Sequence, residues 1–157
     1  MLRCIVSLDD HRGIAKNGQI PWRGAVPSDV RWFREHTRNQ SVVMGRTTFE
    51  AIGHPLAGRT NYVASRHAAL SAQDIHIVPD AIHFIKNFGQ DLWIIGGADI
   101  YAQTIGLASE LYITRLQGDF GCTQFFPAFE QDFERTYRSE LKTENGINFH
   151  FEIWSSK

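Results

Sequence analysis

Short apolar runs alternate along this chain with segments of helical period, and that alternation restricts its fold more than any other feature. The runs at 3–8, 41–44, 61–64, 75–78, 92–95 and 111–116 are nearly continuous in apolar or β-branched residues. Such runs predict strands buried on both faces. Between them, Pro27–Thr37 carries Val30, Phe33 and Thr37 at i, i+3 and i+7, with Trp32 beside them. Thr47-Thr48-Phe49-Glu50 has the form of a capping box, and Gly53 is placed to end its helix. Helical patterns at 80–88 and 98–105 complete the set. Two last strands, at about 133–141 and 147–154, flank Asn145-Gly146, a hairpin turn pair. The order predicts one α/β domain over residues 1–157, with a mostly parallel central sheet and helices on both faces. An antiparallel C-terminal hairpin closes it.

Charge and cysteine content exclude several functions. Sixteen Lys and Arg against seventeen Asp and Glu give a net charge of −1, which argues against a nucleic-acid-binding protein. The balance is uneven, since residues 1–66 hold ten basic and five acidic side chains. Small anionic ligands are therefore sought in the first half. Cys4 and Cys122 form no disulfide framework, and the start MLRCIVSL lacks the pattern of a secretory signal. No apolar run reaches the roughly 18 residues of a membrane span. A cytoplasmic location follows as the expectation. The histidines at 11, 36, 54, 67, 76, 83 and 150 never pair at ligand spacing, so no metal site is expected.

One long connection, Asp9–Val26, holds three Gly and one Pro yet also Ile14, Ile20 and Trp22. Irregular segments of that length inside a compact domain are usually functional, and these apolar side chains need something to cover. Its Gly13…Gly18 spacing imitates a phosphate loop, but Gln19-Ile20 replaces the required Lys-Ser/Thr. Two strand-to-helix junctions are more informative. Gly45-Arg46-Thr47-Thr48 joins a helix N-terminus to a guanidinium and two hydroxyls, a set suited to phosphate. Gly96-Gly97-Ala98 leaves backbone bare enough for close approach by a pyrophosphate. Glycine there is often purely structural, but two such junctions in a small α/β domain point to a nucleotide. In Pro27-Ser28-Asp29, the acid falls in a first helical turn, beside Trp32 and Phe33. It either complements the helix dipole or presents a carboxylate to a heterocycle's N–H edge, and spacing alone leaves both open.

Taken together, Ile20-Pro21-Trp22, Pro27-Ser28-Asp29 with Trp32-Phe33 and Thr37, Val43–Phe49, Ile52–Arg59, Ile95–Ala98 with Tyr101, and Leu111–Thr114 resemble the dihydrofolate reductase family. The resemblance runs from Ile5 to Trp154. It implies NADPH-dependent reduction of dihydrofolate to tetrahydrofolate, sensitivity to antifolates, and a monomer. Asp29 resembles the pterin-binding carboxylate, Thr114 its hydrogen-bonding partner, and Trp22 part of the catalytic loop. Ile5, Phe33 and Ile52 would line the substrate pocket, and Arg59 would grip the glutamate α-carboxylate. Ser7, Ile14, Ala15, Ile20 and Tyr101 would face the nicotinamide side. Gly45, Arg46, Thr47, Thr48, Ser65, Arg66, Ile95, Gly96, Gly97 and Ala98 would take the rest of the cofactor. The resemblance also implies a cis Gly96–Gly97 peptide. Four features depart from the family pattern: a longer Trp22–Asp29 connection, Cys122 in place of a loop-binding acid, Ser7 for a customary Ala, and Asp99 where some members carry Arg. Two other readings stay open, a related reductase of a riboflavin-pathway pyrimidine and a non-catalytic nucleotide-binding module.

Overall fold

A computed structural model describes residues 1–66 and 74–157; His67 lies outside them. Its strands are β1 (Leu2–Leu8), β2 (Gly13–Ala15), β3 (Ser41–Gly45), β4 (Thr60–Ala64), β5 (Ile75–Val78), β6 (Leu92–Ile94), β7 (Glu110–Leu116), β8 (Gln124–Phe125), β9 (Phe133–Arg138), β10 (Lys142–Glu144) and β11 (Ile147–Ser156). Its helices are α1 (Pro27–Thr37), α2 (Arg46–Ile52), α3 (Ala81–Asn87) and α4 (Ala98–Thr104), the last continuing into a 3-10 turn at Ile105–Leu107.

The main sheet runs β10-β11-β7-β1-β6-β3-β4-β5, with β9 also on β11. From β7 to β5 every neighbouring pair is parallel, while β11 runs antiparallel to β7, β9 and β10. Strand alternation divides the core in two. Cys4, Val6, Val43 and Ile94 face Ile85 of α3 and Tyr101 of α4. Ile5, Val42, Met44, Val63 and Trp93 face Trp32 and Phe33 of α1 and Phe49 and Ile52 of α2. Both sheet faces are thus covered by helices, which is why these strands read as unbroken apolar runs.

Several local expectations need correction. The capping box at Thr47 does not form: Gly45 is the N-cap of α2, without a side-chain bond, and Glu50 is taken by Arg46 Nε at 2.8 Å. Gly53 does end α2, in the left-handed conformation at φ 85°. The strand expected to reach 141 stops at Arg138, and Asn145-Gly146 joins the short β10 to β11 instead. The bulged β9 pairs with the far end of β11, which is long enough to take both partners. Val30, spaced as a core residue, is 48% exposed. The long 9–26 connection is partly ordered by β2, which pairs with β8.

Candidate active site

Because β1, β3 and β6 are parallel, their carboxyl ends open on one edge of the sheet, where open α/β folds bind ligands. A cleft of about 650 Å³ lies there, of a size that suits a small molecule. On one side it is lined by Ile5, Asp29, Phe33 and Ile52, and by Ser7, Ile14, Ala15 and Ile20 nearby. On the other side stand Gly45, Arg46, Thr47, Thr48, Ile95, Gly96, Gly97, Ala98 and Tyr101. These residues come from six elements and the loops between them.

Asp29 is the half-buried acid of this cleft. Thr114 Oγ1, fully buried on β7, donates to its Oδ1 at 2.7 Å. Desolvation by the apolar walls pushes the Asp29 carboxyl up to about 6, opposed by the hydrogen bonds from Thr114 and Ser7 and aided by the nearby charge of Glu144. Ser7 has a second partner. Trp22, buried behind the cleft with its ring edge-on to Phe120, donates from Nε1 to Ser7 Oγ at 3.1 Å. The hydroxyl that replaces the customary methyl therefore stands between the two, bonded to Trp22 and favouring the ionised form of Asp29.

The opposite wall is bare backbone. The Gly96–Gly97 peptide is cis. Gly45 N donates to Gly96 O at 2.8 Å, which joins the two strand-to-helix junctions. A Cβ on Gly97 would meet Thr48 Oγ1 at 3.2 Å, and one on Gly96 would meet Thr48 and Tyr101 at 3.5 Å. Contact alone leaves a Cβ on Gly97 only a few tenths of an ångström short of room, whereas Gly96 is held to glycine by its φ of 125°. Tyr101 anchors the junction from below, its hydroxyl donating to Ile5 O at 2.6 Å.

Five residues expected at the site stand outside the cleft lining. Trp22 and Thr114 act from behind it, as described. Arg59 sits at its outer end, with its guanidinium 5.8 Å from the Phe33 ring, Nε on Thr37 Oγ1 at 3.2 Å and Nη1 on Ala57 O at 2.8 Å. Burial together with the Arg34 and Arg38 charges lowers its pKa, so three guanidinium groups crowd this end. Ser65 is buried just past β4, and Arg66 is exposed beyond it. Arg46 lines the cleft but is held in its pair with Glu50. The cleft also takes Gly18, Gln19, Val30, Leu56, Ile100 and Gln124, which sequence reasoning missed. Gly18 and Gln19 are carried in by the 9–26 loop and Gln124 is bonded to it through Gly18 N, whereas Val30, Leu56 and Ile100 come from α1, the segment after α2, and α4.

The loop is held without the usual acid at 122. Asn17 N donates to Thr123 Oγ1 at 2.9 Å and Gly18 N to Gln124 Oε1 at 2.8 Å. Buried Asp9 adds a second clasp, accepting from Gly13 N and His11 N through Oδ1 and from Phe120 N through Oδ2. Gly13 is required beside it, since a Cβ there would lie 2.5 Å from Cys122 Cβ and 2.8 Å from Asp9 Oδ1.

An apolar cleft with a half-buried acid on one wall and two glycine strand-to-helix junctions on the other defines a class: α/β enzymes that hold a nucleotide against a small heterocycle. The family model described as dihydrofolate reductase matches residues 1–156, and the chain belongs to that family. It is 37% identical over 127 residues to the dihydrofolate reductase of Haemophilus influenzae, covering 78% of this chain and 76% of the relative. With the Bacillus subtilis dihydrofolate reductase it shares 30% over 162 aligned positions, covering 100% and 95%. Among solved structures, the dihydrofolate reductase from Enterococcus faecalis complexed with NADP(H) and RAB-propyl superimposes with a TM-score of 0.89 at 25% identity. That match covers 100% of this chain and 96% of the other.

Proposed function

We propose that this chain reduces dihydrofolate to tetrahydrofolate with NADPH, and that Asp29 is its catalytic carboxylate. The observation that carries the assignment is Asp29 itself, a half-buried acid tied to Thr114 in an apolar cleft. A carboxylate there accepts from the N3–H and 2-amino group of a pterin as a bidentate pair, which orients the ring and favours a proton at N5. Ile5, Phe33 and Ile52 exclude water around that ring. Arg59 stands where a guanidinium fork can take the α-carboxylate of a glutamate tail, with Arg34 and Arg38 adding positive field. A riboflavin-pathway pyrimidine offers no such carboxylate.

The residues present fit a dinucleotide. The Gly96-Gly97 cradle, which a Cβ would fill, lies beside the Thr48 hydroxyl, and backbone this bare admits a pyrophosphate. Thr47, Thr48, Ser65, Arg46 and Arg66 would hold the phosphates, and Ser7, Ile14, Ala15, Ile20 and Tyr101 the nicotinamide end. When bound, NADPH supplies the hydride that C6 of the pterin accepts. Trp22 and Ile20 keep the loop over this end and exclude solvent from it.

The chain is read as one domain working as a monomer, since a single copy supplies every wall of the cleft. Antifolates that present an N–H edge to Asp29 would bind in place of substrate. Among the described residues no helix is long and apolar enough to cross a membrane, and Cys4 and Cys122 are unpaired, which supports a cytoplasmic setting. Loss of NADPH absorbance on adding dihydrofolate tests the activity. Asp29→Asn should lower turnover by roughly 10²–10⁴, the scale of an acid–base participant. Near-normal turnover by that variant at neutral pH would remove Asp29 from the role.

A further inference from the structure

We propose that Glu144, at the tip of the C-terminal hairpin, is a positioning residue for Asp29: it caps the first turn of α1 and places a negative charge beside the catalytic carboxylate. The proposal rests on the reading of Asp29 given above. A helix start leaves backbone N–H groups without partners, and α1 has no side-chain cap of its own, with Val26 at the N-cap. Pro27 has no N–H to satisfy, and Asp29 N donates to Val26 O at 3.0 Å. Ser28 N reaches Glu144 Oε1 at 2.9 Å, and Ser28 Oγ donates to Oε2 of the same carboxylate at 2.7 Å. One residue thus grips both donors of the residue that precedes Asp29. Asn145 extends the grip by donating from Nδ2 to Ala25 O at 2.7 Å. The longer stretch between Trp22 and Asp29 is therefore fastened at its end by β10 and the turn after it.

A charge in that place acts on Asp29 in a known direction. Asp29 is faced by Ser7 from β1 and Thr114 from β7, whose hydrogen bonds favour its ionised form. Glu144 from β10 opposes ionisation, and Tyr101 of α4 also senses the Asp29 charge. Glu144 itself is held ionised chiefly by its Ser28 bonds and further by the charges of Arg31 and Lys142. Its influence crosses partly solvated space, so it is modest and weakened by salt.

The test is Glu144→Gln, which removes the charge and keeps an acceptor for Ser28. The Asp29 titration is followed by carbon NMR of the carboxyl in the ligand-free protein, with pH profiles of dihydrofolate turnover alongside. Glu140→Gln, an exposed change near the same hairpin, serves as the charge control. The expected result is a fall in the Asp29 midpoint of roughly half a pH unit in Glu144→Gln, smaller at high salt and absent in Glu140→Gln. Glu144→Ala should show the same shift and, with the cap gone, a rise of about two- to tenfold in KM for dihydrofolate that Glu144→Gln largely avoids. An unmoved Asp29 titration in both Glu144 variants would overturn the proposal, even if their melting temperatures fell. The NMR midpoint is read without substrate. Failure of the wild-type protein to turn over dihydrofolate would therefore sink the functional reading and remain distinguishable from failure of this one.

Discussion

Asp29 sits between opposing influences, and the sign of each can be worked out. Its native carboxyl titrates at about 6, above the ordinary 3.8, so the folded chain holds this proton more tightly than the unfolded chain does. Stability from that group is fully present below the ordinary value and is lost as pH rises toward 6. The ligand-free fold is thus least favoured by Asp29 at neutral pH, a cost common at functional sites. Ser7 works in the other direction, because its hydroxyl bonds the ionised form. Ser7→Ala should raise the Asp29 midpoint above 6, opposite in sign to Glu144→Gln, and should leave Trp22 Nε1 without its partner. A carboxyl titration that stays put or falls in Ser7→Ala would show that the hydroxyl does not reach Asp29. Part of this was legible: the two glycine junctions stand out from residue type and order, Asp29 reads as an acid in a first helical turn with its role left open, and Thr114 comes only from the family resemblance. The link from Trp22 through Ser7 was not. A serine for an alanine announces only a hydroxyl, and its partner at 22 is placed by the loop.

The secondary elements divide by length in how plainly they can be read. α1 begins and ends where its pattern says, at Pro27 and Thr37, and β5 does the same at Ile75 and Val78. The two-residue β8 and three-residue β2 carry no period at all; they exist because the 9–26 loop meets the 117–126 segment. The Ser28–Glu144 contact spans 116 positions, beyond the reach of any local pattern. Cys122 stands in place of a loop-binding acid, and Thr123, Gln124 and Asp9 hold the loop instead. Gly13→Ala tests how tight this clasp is, since its new Cβ would collide with Cys122 and Asp9. Overpacking of this kind costs about 1–3 kcal/mol. We expect a lower denaturation midpoint together with a raised KM for NADPH, because the loop lies over the cofactor side. An unchanged KM would separate the clasp from cofactor binding.

Across the protein, the edge built by β7, β9 and β11 carries its own ionic core. Glu152, 2% exposed, accepts from Trp154 Nε1 at 2.8 Å, pairs with Arg115 Nη2 at 3.1 Å and lies 2.6 Å from His150 Nε2. Burial alone would raise its carboxyl, but the bonds from His150, Trp154 and Arg115 prevail and hold it below the ordinary range. Its stability contribution is therefore present above the ordinary carboxyl value and lost as pH falls through the native one. Glu152→Ala should cost about 3–5 kcal/mol, because Arg115 and His150 remain in place without their acceptor. Urea unfolding at several pH values measures both effects. Equal stability of variant and parent at neutral pH would mean that water replaces the carboxylate.

The strand order also has a consequence for synthesis. β1 precedes the other strands of this sheet and lies inside it, but its two neighbours, β6 and β7, are encoded about ninety and more residues later. As the chain leaves the ribosome, β3, β4 and β5 can find one another while β1 waits with both edges unpaired. The last strand, β11, then covers the outer edge of β7 and brings Glu144 to Ser28. α1 thus receives its cap only after Glu144 has emerged, so a chain halted short of that residue presents neither a finished cleft nor a set acid.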